Sequence, residues 1–453
     1  MKEVIEFARE NDVKFVRLSF CDIFGFQKNI SIMADELEGA FENGISFDAH
    51  LIRGFRDITQ SDLFLFPDPA TLAVLPWRPG PGRVLRFFCD IKTLDGQVFE
   101  HDTRMLLKKI TERAQYTTAQ KTGYVCKIGA ECEFYLFKTD ENGEPSNITL
   151  DKGSYMDISP LDKGEDIRRE ICLTLLEMGI KPESSHHEQG PGQNEIDFKF
   201  DNAVTSADNM QAFKTVVKAI AARNGLFASF MPKPFLDAPG NGLHINCSLY
   251  QSGKNIFQNS LAAKHSENNK EHSAISESFI AGILDKTPEI TLFLNPTANS
   301  YERLGRFEAP RYVSWSHQNR SQLVRIPAAS GERARMELRS PDPSLNPYLA
   351  FALILSAGLD GIEKKMPLPP PVNGDLFTAD KSVTENLARL PDTLEKAIVL
   401  AEKSSFIKNV LGEPLLSKFI EFKKAEAEDF AAVSGSSTEE KVRFYRERYF
   451  DVT

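Results

Sequence analysis

A chain of 453 residues is long enough for two domains or one large elaborated one, and 41% hydrophobic against 26% charged residues is the balance of an ordinary soluble globular protein. Its formal net charge of −10 argues against a general nucleic-acid or anionic-membrane binder, which an acidic surface would repel, and leaves small polar substrates. The six cysteines are scattered without a Cys-x-x-Cys pair and no basic-then-apolar leader follows Met1, so a reducing cytoplasm is expected, with neither a disulfide framework nor a zinc-thiolate site.

In chain order, Val4–Asn11 reads as a short helix, with Phe15–Phe20 and Lys28–Met33 as strands about a turn at Gly25. Strands follow at Leu72–Leu75 and Val84–Ile91, then a turn at Asp95-Gly96, giving a small mixed-sheet unit that ends near Arg104. Beyond it long helices alternate with strands: Met105–Gln120, Gly164–Glu177, Ser206–Asn224 closed by Gly225, and a helix opened by Asn346-Pro347 and running to Gly361. The longest apolar run, Leu349–Leu359, is too short to span a bilayer. The proline-rich Met366–Pro371 is a surface connection, and the tail after Leu390 is helical with an exposed turn at Ser434–Ser437.

Within Arg333–Asp342, Arg335, Glu337 and Arg339 alternate with Met336 and Leu338, so a strand there points three charges to one face. Such alternation fits a solvated edge strand as well as an anion site beside a metal. The same pattern recurs in Glu131 and Glu133, in His244 and Asn246, and in Glu195 and Asp197, just after His186-His187-Glu188 and the turn Gly190-Pro191-Gly192. Each residue alone reads as a surface strand position, or for His244 as a core histidine. If Glu131, Glu133, Glu188, Glu195 and Glu337 converge with His244, the carboxylates repel unless cations lie between them. Oxygen-rich donors favour magnesium or manganese over zinc and leave positions for phosphate oxygens, as in a phosphoryl-transfer site. Gly240 and Gly242 suit a close approach to a ligand, or a plain loop.

These segments resemble the glutamine synthetase superfamily, type I, over nearly the whole chain. The matching stretches are Phe47-Asp48, Glu131–Phe134, His186–Glu188 with Gly192–Glu195, Met231–Pro234, Asn295–Tyr301, Asn319–Ser321 and Met336–Pro343. The resemblance implies an α+β protein: a β-grasp domain (residues 1–104) before a catalytic domain (residues 105–453) whose curved antiparallel sheet, flanked by helices, forms a funnel open at both ends. It implies that ATP enters one end and glutamate the other, with two or three magnesium or manganese ions per site.

By position in the motifs, Glu133, Glu188 and Glu195 match ligands of one metal, and Glu131, His244 and Glu337 those of a second. Glu183, Phe200, Asn246, Ser248 and Arg335 match the nucleotide side, and Gly240, His244, Arg303 and Arg339 the glutamate side. Arg320 and Arg325 match the holders of the transferring phosphate. Asp48, Tyr155, Glu188 and Glu308 match an ammonium pocket in which Asp48 takes the proton and the Glu308 loop closes over the intermediate. A homo-oligomer, a dodecamer with sites shared between subunits, is implied too. Leu51, Pro239 and Asn246 depart from the usual serine, asparagine and histidine, which points to a larger amine as the alternative acceptor, while a catalytically silent oligomer is disfavoured by the intact ligand set. Phe377 stands where adenylylated relatives carry a tyrosine. Loss of Glu337 is expected to abolish turnover and leave the fold intact.

Overall fold

The register between neighbouring strands decides where the acidic side chains of this protein meet. A computed structural model describes residues 1–77, 82–116, 123–257, 273–435 and 437–453. Helix α1 (Lys2–Glu10) leads into β1 (Val13–Cys21) and β2 (Gln27–Met33), followed by helix α2 (Leu37–Asn43), β3 (Ile45–Asp48), β4 (Asp62–Pro67), β5 (Ala73–Val74) and β6 (Arg83–Lys92). These strands form a six-stranded sheet in the order β2-β1-β6-β4-β3, with β5 on β6 and a parallel β1–β6 pair at its centre. The strand expected over Leu72–Leu75 is only Ala73–Val74. Pro69, at the start of a 3-10 turn that ends at Thr71, leaves little chain for a longer one.

Helix α3 (Thr103–Tyr116) follows; the last four residues expected for it, 117–120, lie outside the described residues. Arg104 sits in its first turn and is buried, pairing with Asp208 at 2.9 Å, Asp90 at 2.6 Å and Asp68 at 2.9 Å.

The second sheet is built from β7 (Val125–Thr139), β8 (Pro145–Thr149), β9 (Pro182–His187), β10 (Gln193–Asn202), β11 (Leu226–Ser229), β12 (Leu243–Gln251), β13 (Lys254–Asn255), β14 (Trp315–His317), β15 (Val324–Ile326) and β16 (Met336–Leu338). Its main path runs β14-β15-β16-β12-β7-β10-β9, antiparallel except for β14 beside β15. Helices α4 (Glu165–Glu177), α5 (Ala203–Arg223), α6 (Ala274–Leu294) and α7 (Pro347–Glu363) flank it. Asn346 caps α7, its side chain accepting from the backbone N–H of Tyr348 and Leu349, and Pro347 occupies the first turn, where its missing N–H costs nothing. The apolar run Leu349–Leu359 is therefore a buried helix, and no helix among the described residues is long and apolar enough to cross a membrane. The tail is helical over Leu394–Lys403, Ser405–Leu411, Glu413–Ser434 and Thr438–Tyr445. Of the turn expected at Ser434–Ser437, Gly435 closes a helix, Ser437 caps the next, and Ser436 is outside the described residues.

Candidate active site

Side chains directly opposite on neighbouring strands share a face, and here the register lines up chemistry in rows. Asp197 on β10 faces Glu131 on β7, which faces His244 on β12. One step along, His186 on β9 faces Glu195, which faces Glu133. A third row sets Arg325 on β15 opposite Glu337 on β16, and Glu337 opposite Asn246 on β12. Because positions two apart in a strand lie on the same side, all three rows point into one concavity.

That concavity holds a cavity of about 450 Å³, lined among others by Glu131, Glu133, Glu188, Glu195, His244 and Glu308. Tyr155, Gly240, Arg303, Arg320, Arg325 and Arg335 line it too. A second cavity of about 280 Å³ shares Glu131, Asp197 and Arg335 with the first and carries Glu183, Phe200, Asn246 and Ser248. Of the residues matched to nucleotide, Glu183, Phe200, Asn246 and Ser248 thus line only the second cavity, and of those matched to glutamate, Gly240, His244 and Arg303 line only the first. Glu337 and Arg339 line neither; both side chains are 0% exposed, with Glu337 paired to Arg325 and 3.7 Å from His244 Nδ1. The Met336–Leu338 strand therefore has two buried faces rather than one wet one, which corrects the solvated-edge reading.

Two triads of ligating atoms are close enough for one ion each: Glu131, His244 and Glu337, and His186, Glu188 and Glu195. The first agrees with the grouping drawn from the motifs. In the second, His186 stands where Glu133 was placed. The Glu133 carboxylate instead accepts from the Gly242 N–H at 2.8 Å and from Gln193 Nε2 at 3.0 Å. A third buried group, Asp151, Asp162 and His187, is closed by its own bonds: His187 Nε2 to Asp151 at 2.9 Å and Arg168 to Asp162 at 2.5 Å. His186 and His187 point to opposite faces of β9, so only the first reaches the cavity.

Electrostatics separates the acids into two kinds. Burial raises Glu131, but the hydrogen bonds from His244 and Asn246 and the charge of Arg339 outweigh it and hold the carboxyl at about 2. Burial likewise opposes Glu337, which Arg339, His244 and Arg325 pull below the usual range; its carboxylate accepts from Arg339 Nη1 at 2.5 Å and from Arg325. Conversely, burial and then Glu188 push Glu133 up. Burial, Asp197 and Glu133 push Glu195 well up, and burial with Glu131 brings Asp197 to about 6. Carboxylates of this second kind form no ion pair with a lysine or arginine among the described residues, a donor set that a hard divalent cation fits. Anions fit the arginine side of the cavity, which Arg303, Arg320, Arg325 and Arg335 line and where Arg325 Nε is buried without a hydrogen-bond partner.

The glycines have steric work here. A Cβ on Gly242 would lie 2.6 Å from Arg303 Nη2 and 3.1 Å from His244 Nε2, and one on Gly240 would lie 2.4 Å from the Pro232 carbonyl. The Glu308 loop lines the cavity with Arg306, Phe307, Glu308 and Ala309, held by Gln189 Nε2 at 3.0 Å from Glu308 and by Arg339 Nη2 at 3.6 Å. Tyr155 meets His186 edge-on, with ring centroids 5.4 Å apart. Asp48 lies elsewhere, at the end of β3, its carboxylate 2.5 Å from His50 Nδ1, which lowers it; it lines neither cavity of its own chain. Leu51 is 74% exposed in the turn that follows.

Asp197, His186 and Gln193 were missed as site residues. The signal was present, since Asp197 and His186 fall two positions from Glu195 and Glu188 on strands already read as facing the site. Arg306 and Phe307, which also line the cavity, belong to an irregular loop that carries no such period.

A mixed six-stranded sheet set ahead of a curved sheet with acids on its concave face defines a class, the two-domain ligases of β-grasp and catalytic parts. Comparison with known proteins is specific: the glutamine synthetase β-grasp domain matches residues 12–94 and the glutamine synthetase catalytic domain residues 100–443. Glutamine synthetases of Clostridium saccharobutylicum and Methanosarcina mazei are 43% and 44% identical, each over 95% of both chains. Two solved chains named GmaS, one a complex with ADP and one without ligand, superpose with TM-scores of 0.85 and 0.84 at 31% identity, covering 98% of this chain and 99% of theirs. The chain belongs to the glutamine synthetase family, and it is an enzyme of the ligase class.

Proposed function

We propose that the protein ligates ammonia to L-glutamate with ATP, through γ-glutamyl phosphate, releasing glutamine, ADP and phosphate. What carries this reading is the pair of adjoining cavities that share Glu131, Asp197 and Arg335, with most of the candidate nucleotide residues lining one and the glutamates, His244 and the candidate glutamate residues lining the other. A nucleotide end is also supported by the structural relative solved as a complex with ADP. Glu131, His244 and Glu337, with Glu133, Glu188 and Glu195, are the residues that would hold two or three magnesium or manganese ions; such ions supply charge stabilisation to transferring phosphoryl oxygens.

Arg303, Arg339 and Gly240 would seat the glutamate, and Arg320 and Arg325 the phosphoryl oxygens as the γ-carboxylate attacks. Glu308 would close the mouth against water, and Asp48, with Tyr155 and Glu188 around the cation, would deprotonate ammonium. The division at residues 1–104 and 105–453, a cytoplasmic location and a dodecamer with shared sites belong to the same reading. Sharing is supported by Asp48, which lines neither of these two cavities. Mixing Asp48→Asn and Glu337→Ala subunits under exchange should then restore part of the activity; failure despite exchange refutes shared sites.

The deciding assay is ATP-dependent phosphate release with glutamate and a panel of amines. Ammonia should give the highest kcat/KM. Leu51 and Pro239 favour a second reading, a γ-glutamyl ligase for a larger amine, and a clear preference for such an amine would overturn the first.

A further inference from the structure

Lys233 is 1% exposed, yet its ammonium bonds a backbone carbonyl and forms no ion pair with a carboxylate among the described residues. Its backbone is fixed by Asn299, which accepts from the Lys233 N–H at 2.7 Å and donates to its carbonyl at 3.0 Å. The stem passes Gly240, where an added Cβ would meet Lys233 Cδ at 3.1 Å. At the far end the ammonium donates to the Ala238 carbonyl and sits 4.2 Å from the ring centroid of Phe307. Phe307 immediately precedes Glu308, takes a φ of 53° that side chains rarely adopt, and is 44% exposed. A half-open ring on a strained residue stays put only if something holds it. A desolvated ammonium over its face does so, and such contacts strengthen as water is excluded. Burial and then the charges of Arg306 and Arg303 bring Lys233 down to about 8, against Asp237 and Glu302, so the cation is present at neutral pH.

We propose that Lys233 is a positioning residue that latches the Glu308 loop to the Ala238–Gly240 segment through Phe307, keeping the mouth of the cavity closed while the acyl phosphate waits for its amine. This rests on the ligase reading of the site. When the latch opens, water adds to the acyl carbon and phosphate leaves, returning glutamate and inorganic phosphate with ATP spent and no amide formed.

The test compares Lys233→Met, which keeps the stem and removes the charge, with Lys233→Arg, which keeps a cation, and Phe307→Leu, which removes the ring. Phosphate released per γ-glutamyl product is measured under turnover, and hydrogen exchange of residues 304–310 on the free enzyme. Lys233→Met and Phe307→Leu should each raise the phosphate-to-product ratio several-fold and speed loop exchange about tenfold, the size of one buried cation–π contact. Lys233→Arg should stay near wild type, and the Lys233→Met/Phe307→Leu pair should be no worse than either alone. Lower turnover at an unchanged ratio, with unchanged loop exchange, would overturn the latch and leave Lys233 a space-filler. Should Lys233→Met fail to fold, Phe307→Leu at its half-exposed position decides the question by the same two readouts. Absence of ATP-dependent phosphate release in the wild type would sink the ligase reading instead, while the exchange measurement still judges the latch.

Discussion

Glu337→Ala removes a carboxylate on which Arg339 and Arg325 converge, with His244 Nδ1 3.7 Å away. The sequence suggested a metal ligand whose loss would spare the fold. Burial changes that expectation: Glu337 and Arg339 are both 0% exposed, so the substitution strands a guanidinium in the interior. Removing one partner of a buried pair costs about 3–5 kcal/mol, because the remaining charge stays desolvated. Arg339 finds little relief, since Nη2 has no hydrogen-bond partner and only the half-exposed Glu308 at 3.6 Å, and Nε is committed to the Arg320 carbonyl at 3.1 Å. The measurement is denaturant unfolding without divalent cation, beside turnover with saturating magnesium. Turnover should vanish and stability should fall by that amount, while Glu337→Ala/Arg339→Ala should cost less than the sum of its single changes. A Glu337→Ala protein as stable as wild type, or strictly additive costs, would refute the pairing; near-normal turnover would refute the metal assignment.

The raised acids set a pH dependence. A folded-state pKa above the unfolded value means that stability is present below the ordinary range near 4 and is lost as pH rises through about 6, the value for Asp197. A divalent cation offsets that loss, so its gain in Tm should be larger near about pH 7 than near about pH 5, and equal gains would exclude binding at these carboxylates. Gly242→Ala should lower kcat/KM for glutamate on the order of a hundredfold by displacing Arg303; an unchanged value would remove Arg303 from the glutamate site. Asp48→Asn should slow the reaction about a hundredfold with ammonium and less with hydroxylamine, already neutral near neutral pH; equal losses would mean that Asp48 is not the base.

Strand residues were readable because their period is two and their neighbours are polar. Glu131 with Glu133 and His244 with Asn246 announce a shared face, and the structure adds only the register that sets one pair beside the other. The counter-charges of Glu337 were hidden for the same reason. Arg339 lies two positions on and was legible as a neighbour, but Arg325 comes from another strand, and no local pattern tells which residue a β15–β16 pairing will bring opposite. Lys233 was harder still: Met231–Pro234 matched the family as a motif, yet nothing in four residues says that the lysine runs under a loop more than seventy positions away.

Six carboxylates on one face look alike in a sequence, and the fold makes them unlike. Glu131 and Glu337 lie beside His244, Arg325 and Arg339, and their protein partners hold them ionised whether or not an ion is bound. Across β7 and β10 Glu133 faces Glu195 and Asp197 faces Glu131, with no lysine or arginine in either row, and burial raises Glu133, Glu195 and Asp197. Directly opposed like charges weaken a sheet. A strand pair that retains two such oppositions at its centre, beside arginines that could have been placed there, is built for a positive charge that the chain does not itself carry. The case for divalent cations therefore rests on the β7–β10 carboxylates more than on the better-formed triad at His244, whose charge the protein already balances.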